Sequence, residues 1–147
     1  MTDSSLYRLA YISSSIHLLA PEDLENVLAA SRHNNEADGI TGLLLYHDGN
    51  FFQALEGPED AVQACYRRIR NDPRHKDCIT LISEAASGRL FADWAMAYVP
   101  YSALDQTDRD GFIDLQKLRA GPKMREIEKD KKATAFVNAF LANFRYL

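Results

Sequence analysis

A chain of 147 residues suits one domain with a real core and leaves little room for a second. Its 46% hydrophobic and 26% charged residues are those of a soluble globular protein without an apolar run long enough to cross a membrane, and a net charge of −4 argues against broad binding to a phosphate backbone. The opening residues, MTDSSLYRLAY, show no basic stretch followed by an apolar one, so no secretory signal is predicted and the cytoplasm is the expected compartment.

LYRLAYIS, residues 6–13, alternates as a strand, with Tyr7, Leu9 and Tyr11 on one face and Arg8, Ala10 and Ile12 on the other. Pro21 then takes the first position of a helix, followed by Glu22 and Asp23, and Leu24, Val27 and Leu28 form a stripe that continues to Ser31 and Asn35. GITGLLLY, the pair Asp48-Gly49 and NFFQALEG read as a β-hairpin, since an Asp-Gly pair supplies the positive φ angles of a tight turn. A two-residue loop there sets Leu44 opposite Gln53. The layout then repeats: Pro58, Glu59 and Asp60 open a second helix, Val62, Cys65, Tyr66 and Ile69 make its stripe, Pro73 ends it, and CITLISE, residues 78–84, is a fourth strand.

Strand, helix, strand, strand, helix, strand is the ferredoxin-like βαββαβ order of an α+β protein, read here as an antiparallel sheet with both helices on one face. A fifth strand is predicted in DWAMAYVPY, where Trp94, Met96 and Tyr98 alternate with Ala95, Ala97 and Val99. The chain so divides into a domain over residues 6–100 and a C-terminal helical appendage over 101–147. TDRDGFIDLQKLRA is one helix of that appendage, Gly121 and Pro122 interrupt it, and Ala133, Phe136, Val137, Phe140, Leu141 and Phe144 stripe a last helix. Its cover is expected on the free sheet face or in a second copy of the chain, so a homo-oligomer is expected.

Polar groups stand where core is expected. Tyr11, Gln53 and Ser31 with Asn34 or Asn35 converge on the helix-bearing face, and burying an unpaired amide there costs a few kcal/mol. The residues alone leave open a self-satisfied polar network and a bound planar ligand. Arg68, Asp72, Arg74 and His75 sit at or past the end of the second helix, where cations complement the helix terminus or hold a ribityl chain or phosphate. Trp94 and Met96 read individually as core. Cys65 and Cys78 lack C-x-x-C spacing and the four histidines lack ligand spacing, so buried thiols are expected and no metal.

RLAYIS, SRHNN followed by GITGLLLY, FFQALEG, RIRNDPRH and RLFADWAM resemble, in that order and spacing, the BLUF domain, a flavin-binding blue-light sensor, over roughly residues 6–100. The rest resembles the helical tail of short stand-alone members. The resemblance implies FAD between the two helices with its isoalloxazine edge against the sheet, and matches Tyr11, Asn35, Gln53, Trp94 and Met96 to the ring environment. Asn35 faces the pyrimidine end with Ser31 and Asn34 nearby, while Arg68, Asp72, Arg74 and His75 match positions at the ribityl and phosphate end. Further implications are an electron from Tyr11, a reversed or tautomerised Gln53, a change carried through Trp94 and Met96, and output by contact with a signalling protein rather than catalysis. A flavin oxidoreductase would need an acid or base beside the ring and a hydride donor, and no G-x-G-x-x-G motif is present. An RNA-recognition module of the same strand order would carry K/R-G-F/Y-G/A-F where NFFQALEG stands, so no nucleic-acid partner is expected.

Overall fold

The computed structural model describes residues 6–91, 96–120 and 137. β1 (Leu6–Ser15) leads to α1 (Pro21–Asp38), β2 (Thr41–His47) and β3 (Asn50–Pro58) form the hairpin, and α2 (Glu59–Asn71), β4 (His75–Ala85), β5 (Ala97–Pro100), a single 3-10 turn at Tyr101–Ala103 and α3 (Gln106–Ala120) follow. The five strands make one sheet in the order β4-β1-β3-β2-β5. Asp48 and Gly49 turn the hairpin with φ of 50° and 80°, which places Leu44 opposite Gln53 as the sequence predicts.

β1 to β4 pair antiparallel as the sequence predicts, and β5 makes the sheet mixed by running parallel to β2 at the edge opposite β4. The chain between β4 and β5 therefore crosses three strands, and polar side chains hold it as it passes. Arg8 of β1 donates to the Gly88 carbonyl at 2.7 Å, and Glu56 of β3, fully buried, accepts the backbone N–H groups of Leu90 and Phe91 at 2.9 Å. Arg89 reaches Thr41 of β2 at 2.8 Å. Arg8 also donates to the Glu56 carboxylate through Nε at 2.9 Å and Nη2 at 2.7 Å, so this buried charge is paired and hydrogen-bonded.

β5 is shorter than the predicted strand, and β4 starts three residues earlier. His75 and Lys76 pair with Ser15 and Ser14 across a register shift, with Asp77 at a φ of 55°, and a polar, bulged start of this kind lacks the alternation that announces a strand.

One sheet face, with Leu9, Tyr11, Leu44, Phe51 and Leu55, receives Leu28 of α1 and Val62, Cys65 and Tyr66 of α2. The other, with Ala10, Ile12, Leu43, Leu45, Phe52 and Ala54, receives Leu104, Phe112 of α3 and Val137. The described residues of the appendage that pack on the sheet thus lie on the face away from α1 and α2. The rest of the last predicted stripe, including Phe136, Phe140 and Phe144, falls outside the described residues. Neither cysteine forms a disulfide, and Cys65 is buried while Cys78 is only half-buried. Among the described residues no helix is long and apolar enough to cross a membrane.

Candidate functional site

Tyr11 and Gln53 are direct partners in the β1–β3 register, so their side chains rise together from the helix-bearing face. The Tyr11 hydroxyl donates to Gln53 Oε1. Gln53 Nε2 points the other way, 3.4 Å from Met96 Sδ. The amide is 4% exposed, Tyr11 and Met96 still less. Gly42 of β2 makes room for the thioether: a Cβ there would stand 3.0 Å from Met96 Cε and 2.3 Å from the Ala54 carbonyl oxygen.

Above these groups α1 and α2 leave a cavity of about 250 Å³. Tyr11, Gln53, Leu44 and Phe51 contribute its sheet side, Ser31, Asn34 and Asn35 the α1 side, and Cys65, Arg68 and Ile69 the α2 side, with Asp72, Arg74 and His75 beyond the end of α2. Asn35 is 1% exposed, whereas Asn34 lies at the surface and Ser31 is half-buried. The left-handed Gly39, with φ of 71°, ends α1 as the Ile40 N–H closes on the Asn35 carbonyl at 2.9 Å, which holds Asn35 at the helix's last turn. The expected stripe on α1 is otherwise weaker than its sequence indicates. Leu28 is its only buried aliphatic residue, and Val27 lines the cavity instead of filling a core.

Burial pushes the Tyr11 phenol well above its ordinary pKa, so it stays protonated. Burial likewise pulls the His75 imidazole below its ordinary value, and its Nδ1 lies 3.1 Å from Ser13 Oγ with the ring tilted against Phe51 at 4.7 Å. The Arg74 guanidinium holds the Asp72 carboxylate below its usual range through bonds of 2.6 to 3.1 Å. Arg68 Nη2 lies 3.4 Å from Asp38. Both cations at this end are therefore engaged with aspartates.

Nine of the sequence-predicted residues, Tyr11, Ser31, Asn34, Asn35, Gln53, Arg68, Asp72, Arg74 and His75, meet in one cavity wall, and Met96 backs it behind Gln53. Trp94 lies outside the described residues. Sequence reasoning passed over Ser13, and over the Tyr66 ring 5.0 Å from that of Tyr11, because a hydroxyl on a strand and an aromatic in a helical stripe both look like ordinary packing. It also missed Arg32, whose Nε donates to the Met96 carbonyl at 2.9 Å. Its spacing of four residues after Leu28 was the available signal.

Carboxamides and a phenol around an apolar slot, with charged groups at one end, fit a planar heteroaromatic ring bearing carbonyl and N–H groups and a polar tail. A family profile described as sensors of blue light using FAD, BLUF, matches residues 6–97. The chain belongs to the BLUF family. FAD is its cofactor, and the matched region is a blue-light sensor domain. The chain is 39% identical over 95 residues to photoactivated adenylate cyclase subunit beta of Euglena longa, a match covering 64% of this chain and 11% of that protein. It is 43% identical over 72 residues to the blue light- and temperature-regulated antirepressor BluF of Escherichia coli, covering 49% and 18%. The chain thus spans about a tenth to a fifth of the length of these curated relatives. Among solved structures, the BLUF protein BlrB in its dark state superposes with a TM-score of 0.66 at 33% identity, covering 92% of this chain and 98% of that one.

Proposed function

We propose that this chain is a photoreceptor in which Tyr11 and Gln53 convert blue light into a rearranged hydrogen-bond network, read out by protein contact rather than by catalysis in this chain. The observation that carries the reading is the Tyr11–Gln53–Met96 series in the cavity wall. Bound FAD, excited by blue light, supplies a strong oxidant. Tyr11 would be the electron donor to it, and since burial disfavours the phenolate, the proton of Tyr11 would leave only after the electron. The phenolic proton then moves along the existing bond to Gln53 Oε1. With electron and proton restored to Tyr11, the amide would be left either reversed or tautomerised, the latter with one Nε2–H broken and one Oε1–H formed, and either outcome exchanges donor for acceptor with almost no change of shape.

Asn35, with Ser31 and Asn34, orients the ring from α1. Arg68, Asp72, Arg74 and His75 stand at the ribityl and phosphate end, where binding would draw the arginines from their aspartates. Met96, with Trp94 by the family resemblance, carries the change toward β5. The sensor unit spans residues 6–100. Residues 101–147 are the output layer, and the packing of Leu104 and Phe112 against the back of the sheet supports that assignment. The partner is a signalling protein met in the cytoplasm, and the chain assembles with further copies of itself, which light scattering would register.

The test is an absorption spectrum before and after blue light. The wild type shows a reversible red shift, Gln53→Ala keeps FAD but loses the shift, and Tyr11→Phe loses the donor. A full photocycle in Gln53→Ala would end this reading.

A further inference from the structure

We propose that Arg32 is a positioning residue for the Gln53–Met96 contact and returns the state of that contact to α1. The proposal rests on Gln53 being the switching group, as argued above.

Met96 is held in two ways by two different elements. Its side chain meets Gln53 of β3 through Sδ, and its carbonyl accepts the Arg32 Nε–H of α1 at 2.9 Å. Met96 is 2% exposed and has little freedom on the β2 side, where its Cε rests in the space that Gly42 leaves open. A thioether confined in this way passes a displacement on to its own main chain, and the main chain is bonded to Arg32.

Arg32 follows Leu28 by four positions and precedes Asn35 by three, so the three share one side of α1. Leu28 and Asn35 are the buried residues of that helix, and Arg32 supplies a polar hold on the same line. A guanidinium-to-carbonyl bond is charge-assisted and stronger than a neutral one. The path runs from Gln53 through Met96 and Arg32 to α1, and α1 carries Asn35, Asn34 and Ser31 back to the opposite wall of the cavity that Gln53 faces. The crossing segment is independently pinned upstream by Glu56 at Leu90 and Phe91, and Arg32 holds it at Met96.

Removing the tether lets Met96 yield as the amide turns, which lowers the barrier to reversal. The variants are Arg32→Ala and Arg32→Lys, the second keeping a donor on a flexible stem. Both are expected to retain the red shift at wild-type size, because Tyr11 and Gln53 are untouched. Dark recovery in Arg32→Ala is expected to accelerate about tenfold, the effect of one charge-assisted bond on a barrier, with Arg32→Lys intermediate. A role confined to holding the fold would not move a second readout, the light-minus-dark infrared spectrum of protein labelled at methionine carbonyls with carbon-13. The Met96 band, identified by its loss in Met96→Leu, should shift to higher frequency in Arg32→Ala and less in Arg32→Lys. If Arg32→Ala does not fold, Arg32→Lys carries both readouts. Wild-type recovery and an unshifted band in the folded variants overturn the assignment of Arg32, provided Gln53→Ala has lost its photocycle. A photocycle surviving in Gln53→Ala overturns the underlying reading instead.

Discussion

α2 and α1 lie on the same sheet face, yet they are held there by different forces. α2 buries Val62, Cys65 and Tyr66 against the strands, and its stripe is continuous. α1 is longer, at 18 residues against 13, and buries only Leu28 and Asn35, with Arg32 tied to Met96. Hydrophobic burial makes α2 part of the scaffold whether or not a ligand is present. α1 is a wall whose closure depends on polar contacts and on what fills the cavity, and a wall of that kind can respond to its ligand.

Cutting into the scaffold should cost most. Tyr66→Ala removes a buried ring beside Tyr11 and a hydroxyl 2.9 Å from Thr80, with an expected loss of about 3–5 kcal/mol in urea unfolding. Removing FAD should cost next most, about 2.7 kcal/mol relative to a hundredfold excess over Kd. That loss should fall unevenly. Amide hydrogen exchange should quicken over α1 far more than over α2, and equal changes in both helices would break the comparison.

Gly39→Ala forces a side chain onto a φ of 71° at the end of α1 and should cost about 1 kcal/mol by the same unfolding assay. The weakest effect is one of pH. Burial holds the His75 pKa below its unfolded value, so as pH falls the unfolded chain takes up the proton first. The stability from neutral His75 is therefore complete above about pH 6.5 and is lost as pH falls through the folded pKa. Urea midpoints measured across that window should slope in the wild type and flatten in His75→Gln. Asp72, held low by Arg74, loses its contribution only in the carboxylate range below this window.

Much of the site was legible because its residues contradict their surroundings. Gln53 in an apolar strand and Asn35 at the end of an apolar helix stripe are costly unless bonded, and the Asp48-Gly49 turn sets the register that aligns Gln53 with Leu44. Ser13 was not legible, since a serine on a strand contradicts nothing, and the spacing of Arg32 from Leu28 marks its side of α1 without naming its partner. Their roles exist only once His75 and Met96 have been brought to them.

The amino-acid sequence by itself determined the elements through α2 and the Asp-Gly hairpin, because periodicity and turn chemistry act over a few residues. Tertiary structure alone decided that β5 lies parallel to β2 at the far edge, that the buried Glu56 secures the crossing, and that α1 stands off the sheet far enough to leave a cavity. Those outcomes depend on contacts between residues tens of positions apart, whose energies come from burial and charge pairing in the assembled fold and leave no local pattern in the chain.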